Sequence, residues 1–461
     1  MKTVAVLGAS YGGTRAAQIL AQELPRDWRV VLIDRNTHFN HLYVLPRCAI
    51  LPQHAHKAFI PYTGIFRGPS APEDKNSTDS RRAILLHAQV TALSAHSVTL
   101  SRSFPEYGID GPVLDFHYAV YALGSHLPAP INLWGPYPDA KSSNVYRGCK
   151  VEGVSWLRKF HDAIEQASSV LVVGGGALGI QYASDIAEVF PTKSVTLLHS
   201  RPQLLPRFDE AMHEEIVSAL ESLNVKTVLG ERLDMSSMVK TSEDKRGRTV
   251  RTVKTQSGKE ISAGIVLLCT GQTPNTGLVQ SFLPDSIVPA GPSQGMVRVK
   301  RTMQVAVPST EPADDTTPRP SRVTRPHEFR ESDEDDDSES DEEDDSDLSV
   351  PYPHLFAIGD AADAYGAINA GHTAYFQGEI AARNILQLIQ AEEASDGTAT
   401  EPKLQRYRPG APGIKISLGL SKSLYQVDGV VGKKSDVSDD LDAPLMWKLC
   451  GVETDEEGMY L

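Results

Sequence analysis

Short apolar runs, each followed by glycines and then by a helical pattern, occur twice in the chain. Residues 4–7 and 170–173 are apolar and rich in β-branched side chains, which is typical of strands buried in a parallel sheet. Glycines follow each run at once, and apolar residues then recur at helical spacing. Strand, glycine turn and helix is the context that a dinucleotide-binding fingerprint requires. The pattern therefore predicts two α/β units.

The first glycine turn has the composition of a nucleotide-binding loop. Small residues occupy the turn and the start of the helix: Gly8, Ser10, Gly12 and Gly13. They let the backbone approach a pyrophosphate, to which the helix N-terminus offers free N–H groups and a partial positive charge. Serine stands where the usual motif has its second glycine, but it is small enough to be tolerated. A second strand, 30–33, ends at Asp34, whose carboxylate is placed to accept hydrogen bonds from a ribose diol.

The second turn contains all three glycines of the motif, Gly174, Gly176 and Gly179. The next strand, 195–198, runs into His199, Ser200 and Arg201, which occupy the position of the ribose-binding acid. A carboxylate there would suit the 2′-hydroxyl of NAD, whereas an arginine attracts the 2′-phosphate of NADP. The stretch favours NADPH, and NADH stays an alternative because serine and histidine can also serve a diol.

Apolar strands that end in glycine close the two predicted units, at Gly124 and at Gly271. A third such strand ends at Gly359 and Asp360, directly before a helical pattern. Asp360 could simply cap that helix, since aspartate is common at this position. With two fingerprints upstream, we instead expect Asp360 to accept hydrogen bonds from a sugar-alcohol chain beside a phosphate held at the helix N-terminus.

Periodicity alone predicts further elements. A β-meander is expected over 83–90 and 97–100, a strand over 116–123, and helices over 154–167 and 371–388. Near the C-terminus, short strands are expected over 414–418 and 427–431. Polar stretches at 69–82 and 391–403 are expected to be loops.

Negative charge is concentrated in one segment. The formal net charge is −14, and residues 331–347 contain 13 acidic residues and no basic ones. The remainder is close to neutral, which argues against a nucleic-acid-binding surface or a polybasic membrane patch. A run that repels itself cannot bury a core, so the insert 308–349 is expected to be disordered.

The cysteines and histidines do not form a recognisable metal or redox motif. The four cysteines are far apart: Cys48, Cys149, Cys269 and Cys450. No metal is expected, nor a redox disulfide, and sparse cysteine usage suits a reducing compartment. A stretch of aromatic, histidine and cationic residues begins at Arg35. A metal site there would lack paired carboxylates or thiols, so we expect this stretch to line the cofactor.

No apolar run reaches the ~18 residues that a membrane-spanning helix needs. The N-terminus enters the first strand directly, and residue 2 is lysine, which excludes N-myristoylation. We therefore expect a cytoplasmic protein whose contact with membranes, such as the outer face of mitochondria or lipid droplets, is at most peripheral.

In order and spacing, these motifs resemble those of the flavoproteins with two dinucleotide-binding domains, the pyridine nucleotide-disulfide oxidoreductase superfamily. The resemblance covers nearly the whole chain apart from the acidic insert. Within it, residues 39–41, Arg47, residues 57–62 and the His199-Ser200 pair look like the fungal apoptosis-inducing-factor-homologue or ferroptosis suppressor branch. The chain departs from relatives at Gln181, often glutamate, and at Leu123, which replaces a threonine. It also lacks the redox cysteine pair of the glutathione-reductase branch.

The resemblance implies a role for each motif. Gly8, Ser10, Gly13 and Asp34 would hold the ADP part of FAD, Val90 would touch the adenine, and Asp360 would bind the ribitol side. The second turn and Arg201 would hold NAD(P)H. Arg47 and Lys57 are the best candidates to contact the flavin or the acceptor. No catalytic side chain is named, because the flavin itself accepts and donates the hydride.

The expected architecture is an α/β fold with two Rossmann-like dinucleotide-binding domains, three-layered and glutathione-reductase-like, plus a small α+β C-terminal domain. The predicted boundaries are 1–150 and 272–390 for FAD, 151–271 for NAD(P)H, and 391–461 for the C-terminal domain. The expected activity is FAD-dependent transfer of electrons from NAD(P)H to a quinone or similar acceptor, by a monomer or homodimer. The alternatives are a flavin-containing signalling protein with little turnover and a tailoring oxidoreductase of specialised metabolism.

Overall fold

A computed structural model of the chain describes residues 1–66, 82–135, 146–239, 241–243, 247–309, 345, 347–394 and 402–461. Most of the predicted acidic insert and most of the two predicted polar loops lie outside these residues. Among the helices in these ranges, none is long and apolar enough to cross a bilayer. In the same part of the chain, no three His, Cys, Asp or Glu side chains gather as metal ligands would.

The α-helices are α1 (Tyr11–Glu23), α2 (Leu45–Ile50), α3 (Lys150–Gln166), α4 (Ala177–Val189), α5 (Glu210–Ser222), α6 (Gly277–Phe282), α7 (Gly371–Glu393) and α8 (Ala443–Leu449). Short 3-10 helices cover Pro52–Ala58, Tyr62–Gly64, Pro105–Tyr107, Met235–Val239, Pro284–Ser286, Gly359–Ala361 and Gly458–Tyr460.

The strands are β1 (Lys2–Leu7), β2 (Trp28–Asp34), β3 (His38–Asn40), β4 (Phe59–Pro61), β5 (Ala83–His87), β6 (Val90–Leu93), β7 (Ser97–Leu100), β8 (Val113–Asp115), β9 (Tyr118–Tyr121), β10 (Ser125–His126), β11 (Ser169–Val173), β12 (Ser194–Leu198), β13 (Lys226–Val228), β14 (Thr241–Glu243), β15 (Thr249–Lys254), β16 (Glu260–Ala263), β17 (Ile265–Leu268), β18 (Thr273–Pro274), β19 (Val297–Arg298), β20 (Val307–Pro308), β21 (Leu348–Ser349), β22 (Leu355–Ala357), β23 (Ala362–Asp363), β24 (Ile414–Ser417), β25 (Lys422–Val427) and β26 (Val430–Ser435).

Contacts divide the chain into two compact units. The first unit contains residues 1–35, 65–125 and 274–410, and the second contains 36–64, 126–273 and 411–461. The segment that follows Asp34 therefore groups with the second glycine turn rather than with the first. The C-terminal residues from 411 onward also belong to the second unit. A separate C-terminal domain stays a prediction.

The first unit is built on a parallel sheet of five strands in the order β22-β9-β1-β2-β5. Its central strand is apolar and fully buried over residues 4–7. Helices α1 and α7 pack together closely because glycines meet at their contact: a side chain at Gly378 would place its Cβ 2.4 Å from the carbonyl oxygen of Gly12. An antiparallel sheet, β6-β7-β8, belongs to the same unit.

The second unit repeats this design with a parallel sheet in the order β13-β12-β11-β17. The strands before the two glycine turns have equivalent neighbours. In the first unit β1 lies between β2 and β9, and in the second unit β11 lies between β12 and β17. Two antiparallel sheets, β14-β15-β16 and β24-β25-β26, complete the second unit together with the β3-β4 pair. The two predicted α/β units are thus both present.

Two local predictions were wrong in their bounds. The segment expected as one meander strand, 83–90, splits: β5 joins the parallel sheet beside β2, and only β6 enters the antiparallel sheet. The segment 427–431 is not one strand: it contains the end of β25, a two-residue turn at 428–429 and the start of β26. Asp428 and Gly429 both have positive φ, +48° and +76°, which suits the tight turn between β25 and β26.

The ends of the predicted disordered insert are ordered. β20 pairs with β21 across it, so residues 308, 348 and 349 belong to the folded first unit. Asp345 is buried, and its carboxylate accepts hydrogen bonds from the Arg301 backbone N–H (3.2 Å), the Arg406 guanidinium (3.0 Å) and the Tyr365 hydroxyl. One acid of the run thus makes specific contacts within the first unit.

Candidate functional site

The first glycine turn joins β1 to α1 with a backbone that only small residues permit. Gly8 has φ +103°, and its N–H donates to the Ile33 carbonyl at 2.8 Å. A Cβ on Gly13 would lie 1.9 Å from the Gly8 carbonyl oxygen, so the first turn of α1 packs directly on the strand end. This close approach places the N-terminus of α1 at the glycine turn. A helix N-terminus that follows such a turn is a typical anion-binding site.

The acid predicted to bind ribose closes this turn. The Asp34 carboxylate accepts a hydrogen bond from the Ala9 N–H at 2.6 Å, and the residue is only 9% exposed. The register of the sheet explains the contact, because Leu7 and Ile33 are paired neighbours and the two chains leave the sheet side by side. Ala9 was not among the predicted residues, and nothing in its side chain signals the role of its N–H.

The donor set of the first unit fits the pyrophosphate and ribose of FAD. Ser10 is the N-cap of α1, but its side chain makes no capping hydrogen bond, and the first turn of the helix holds no acidic residue. The helix N-terminus therefore keeps its partial positive charge for an anion. Gly12 is buried against α7 and adds no side chain that would crowd the loop.

Further predicted residues of the first unit lie at strand ends. Gly124 follows β9 with φ +60°. Gly359 follows β22, and its N–H donates to the buried Gln377 side chain at 2.7 Å. Asp360 accepts a hydrogen bond from the Ser125 hydroxyl at 2.8 Å, and burial raises the pKa of its carboxyl, although the Ser125 bond lowers it. Gln377, which holds the Gly359 backbone, was not among the predicted residues.

Two predicted contacts of FAD lie farther along the first unit. Arg35 is half-buried directly after β2, where its backbone carbonyl is 3.0 Å from a ring nitrogen of His87. Val90 is buried at the start of β6 and pairs with Leu100. Their predicted contacts with the cofactor stay predictions.

The second glycine turn repeats the geometry of the first. The Gly174 N–H donates to the Leu198 carbonyl at 2.8 Å, and a Cβ on Gly179 would lie 1.9 Å from the Gly174 carbonyl oxygen. Gly176 is the N-cap of α4, and a Cβ there would meet nothing within 4 Å of it. The loop thus leaves open space at Gly176, which suits the close approach of a pyrophosphate.

His199 takes the place that Asp34 has in the first unit. Its Nδ1 accepts a hydrogen bond from the Gly175 N–H at 3.0 Å. Arg201 is exposed two residues later, so its guanidinium is accessible from solvent. Gly271 follows β17 with φ +119°, as Gly124 follows β9. All the predicted nucleotide-binding residues of this unit therefore gather at the carboxyl ends of its parallel strands.

Arg47 was predicted to contact the flavin or acceptor. In the structure its guanidinium is buried inside the second unit and hydrogen-bonds to several residues of that unit. It is fully buried on α2 and bonds both carboxylate oxygens of Asp185 on α4, at 2.8 and 3.1 Å. Its other donors reach the carbonyl oxygens of Gly419, Leu420 and Asp439 at 2.7, 3.3 and 3.2 Å. All five guanidinium N–H groups are used, which leaves none for a ligand. Asp185 was not predicted as a partner.

Lys57, the second such candidate, is also engaged by residues of its own unit. Its ammonium lies 2.8 Å from Asp440 and 2.9 Å from Glu456. Burial lowers the pKa of Lys57, but the hydrogen bonds to both carboxylates outweigh burial and raise it. The Trp447 indole N–H donates to the Lys57 carbonyl at 2.9 Å. In this structure both cations hold the C-terminal segment on residues 45–58.

The thiols do not have the environment of redox cysteines. All four cysteines are described, and all are free. Cys48 is fully buried, and burial raises the pKa of its thiol to about 12. Burial likewise raises the pKa of Cys450 to about 12 and raises that of Cys269. Because thiolates are the reactive form, these three side chains are chemically inert in the folded protein.

Alkylation of the native protein by iodoacetamide at pH 8 is expected to modify Cys149 alone, since Cys149 is half-buried whereas the other three thiols are buried. Peptide mass spectrometry against time measures the reaction, with the unfolded protein as the control in which all four react. Labelling of Cys48 as fast as that of Cys149 would contradict the assignment.

Comparison with known proteins agrees with this geometry. Residues 2–310 match the family described as pyridine nucleotide-disulphide oxidoreductase. The chain is 40% identical to Fe-regulated protein 8 of Mycosarcoma maydis, over 99% of this chain and 96% of that protein. It is 24% identical to human ferroptosis suppressor protein 1, over 96% of this chain and 95% of that protein.

Among solved structures, NDH2 of Plasmodium falciparum in complex with NADH has the same fold. The TM-score is 0.59 at 13% identity, with 97% of this chain and 93% of that chain covered. The family match, the relative at 40% identity and the paired glycine turns lead to one conclusion. The chain belongs to the pyridine nucleotide-disulphide oxidoreductase family and is an FAD-dependent NAD(P)H oxidoreductase.

Proposed function

We propose that the protein oxidises NADPH in preference to NADH and passes the electrons through FAD to a quinone or a similar two-electron acceptor. The first unit would hold FAD through the Gly8–Gly13 turn, Asp34 and Asp360. The second unit would hold the nicotinamide nucleotide through the Gly174–Gly179 turn, His199 and Arg201. When bound, the flavin supplies the chemistry, by accepting a hydride and releasing two electrons.

The observation that supports a small-molecule acceptor is the state of the thiols. A disulfide-reducing member of the family needs a pair of reactive cysteines, and here all four thiols are free, with Cys48 buried and its pKa raised to about 12. No disulfide is therefore present to accept electrons from the flavin. The resemblance to the ferroptosis suppressor branch implies a quinone as the acceptor.

The protein's own contribution is to bind and orient the two nucleotides. The uncapped N-termini of α1 and α4 and the small residues before them offer N–H groups to the pyrophosphates. Asp34 offers an acceptor for a ribose diol, whereas His199 and Arg201 offer no carboxylate at the matching position. A guanidinium there attracts a 2′-phosphate, which supports the preference for NADPH.

The proposal is tested by visible spectroscopy of the purified protein under anaerobic conditions. We expect a flavin band that NADPH bleaches and that a short-chain quinone restores. A flavin band that neither reduced nucleotide bleaches would refute the reductase activity. Bleaching that no quinone in a panel reverses would refute the acceptor class while leaving the first half-reaction intact.

Arg201→Glu is expected to shift the preference toward NADH, because it replaces an attractive charge with one that repels a 2′-phosphate. We expect the ratio of kcat/KM for NADPH to that for NADH to fall at least ~10-fold, which is about 1.4 kcal/mol. Arg158→Glu, the same charge change on the exposed face of α3, is the control and should leave the ratio unchanged. An unchanged ratio in Arg201→Glu would refute the role of Arg201.

A further inference from the structure

The two nucleotide turns are closed by different chemical groups. In the first unit the Asp34 carboxylate accepts a hydrogen bond at 2.6 Å from the backbone N–H of Ala9, the residue after the first glycine. In the second unit the His199 imidazole takes this role, and its Nδ1 accepts a hydrogen bond from the Gly175 N–H at 3.0 Å. The two acceptors are structurally equivalent, because Leu7 pairs with Ile33 as Val173 pairs with Leu198, and each acceptor follows directly. The difference matters because a histidine loses its acceptor when it is protonated.

The hydrogen bond fixes the protonation state of His199. A backbone N–H can only donate, so Nδ1 must be unprotonated, and a proton on Nδ1 would face the Gly175 N–H directly. The imidazole ring packs directly on Gly175, because two of its carbons lie 2.7 Å from the position that a Cβ on Gly175 would take. Holding the loop therefore requires the neutral form of His199.

The surroundings of His199 also favour its neutral form. Burial lowers the pKa of His199, and the positive charge of Arg201 lowers it further, while a backbone hydrogen bond with Gln203 opposes them. On the neighbouring segment after β13, Glu231 approaches through its backbone N–H, which donates to the His199 carbonyl at 3.0 Å. The carboxylate of Glu231 instead accepts from the Ser257 hydroxyl at 2.7 Å.

We propose that His199 is a positioning residue that makes the nicotinamide-nucleotide site acid-sensitive: its protonation releases the Gly175 N–H, loosens the glycine turn and weakens nucleotide binding, while the FAD site keeps its carboxylate-closed turn. This inference rests on the proposed function, in which the Gly174–Gly179 turn binds the nucleotide. The consequence is selective, since protonation of His199 would prevent reduction of the flavin without releasing the flavin.

The test measures the affinity of the FAD-loaded protein for ADP-ribose by calorimetry from pH 8 to pH 5. ADP-ribose is used because the 2′-phosphate of NADPH would itself titrate, with a pKa near 6 as in other phosphate monoesters. We expect the affinity of the native protein to fall as pH decreases, approaching tenfold per pH unit below the titration of His199. His199→Asn, whose side-chain oxygen can accept the Gly175 N–H but does not titrate, should bind with nearly constant affinity over this range.

A second variant separates the proposal from a folding defect. His199→Asp installs the acceptor of the first unit and should move the loss of affinity to lower pH than in the native protein. Flavin absorbance should stay constant for all three proteins from pH 8 to pH 5. Parallel pH profiles for the native protein and both variants would overturn the proposal, as would a flat native profile. Absence of binding of both ADP-ribose and NADP⁺ by the native protein at pH 8 would instead refute the nucleotide site on which the proposal rests.

Discussion

Arg47→Met is expected to destabilise the protein by about 3–5 kcal/mol, the usual cost of removing one partner from a buried ion pair. The substitution would leave the fully buried Asp185 carboxylate without its counter-charge and three backbone carbonyls without their donors. Thermal unfolding followed by circular dichroism measures the effect. For a unit of this size we expect the melting temperature to fall by roughly 6–20 °C.

A matched control is available in Arg147. This arginine pairs with Glu152 at 2.9 Å but is 77% exposed, so Arg147→Met should cost at most about 1 kcal/mol. The double variant Arg47→Met with Asp185→Leu should recover part of the loss, because replacing both buried charges removes the unpaired carboxylate. Equal melting temperatures for Arg47→Met and Arg147→Met would contradict the structural role of Arg47.

The pH dependence of the same variant provides a second check. Burial raises the pKa of Asp185 to about 6 even though Arg47 lowers it. Without Arg47 that attraction is lost, and the pKa should rise further above the unfolded value of about 3.9. A carboxyl whose folded pKa is raised binds protons more tightly when folded, so stability increases as pH falls through that pKa. The difference in unfolding free energy between the native protein and Arg47→Met should therefore become smaller as pH is lowered from 8 to 5.

Arg47 also shows which part of the site could be predicted from the sequence. The glycine turns were predictable because each is set by a strand, a tight turn and a helix within about 30 consecutive residues. The partner of Arg47 lies 138 residues away on another helix, and nothing local distinguishes a buried arginine from one that binds a ligand. The ion pair of Lys57 was unpredictable for the same reason, since Asp440 lies 383 residues further along the chain.

The missed details of the fold have a similar origin. The hairpin at Asp428-Gly429 carried a known turn signal, but the apolar residues around it favoured a strand over 427–431. Asp345 looked like one more acid in a self-repelling run, whereas its burial depends on Arg301, Tyr365 and Arg406, which are distant in sequence. Patterns of composition describe a segment as a whole and do not single out the residue that makes a specific contact.

Gly13→Ala is expected to abolish FAD binding, with a loss of affinity of at least ~100-fold, or about 3 kcal/mol. The added methyl carbon would lie 1.9 Å from the backbone carbonyl oxygen of Gly8. A Cβ has a fixed position on its Cα and cannot rotate away, so α1 would have to move away from the turn. The FAD content of the purified variant, measured from its visible spectrum, checks this expectation.

Gly176→Ala is the matched comparison, because its Cβ would meet no protein atom within 4 Å and its φ of −87° suits any residue. This variant should keep its fold and its FAD, and lose nucleotide affinity only because the methyl group occupies the space of the pyrophosphate. Gly179→Ala, which repeats the 1.9 Å clash in the second unit, should lose both nucleotide binding and stability. Retention of FAD by Gly13→Ala, or unchanged nucleotide affinity in Gly176→Ala, would show that the corresponding turn does not hold the pyrophosphate. Since each substitution acts within a single unit, the pattern of losses assigns each nucleotide to its turn without any measurement of turnover.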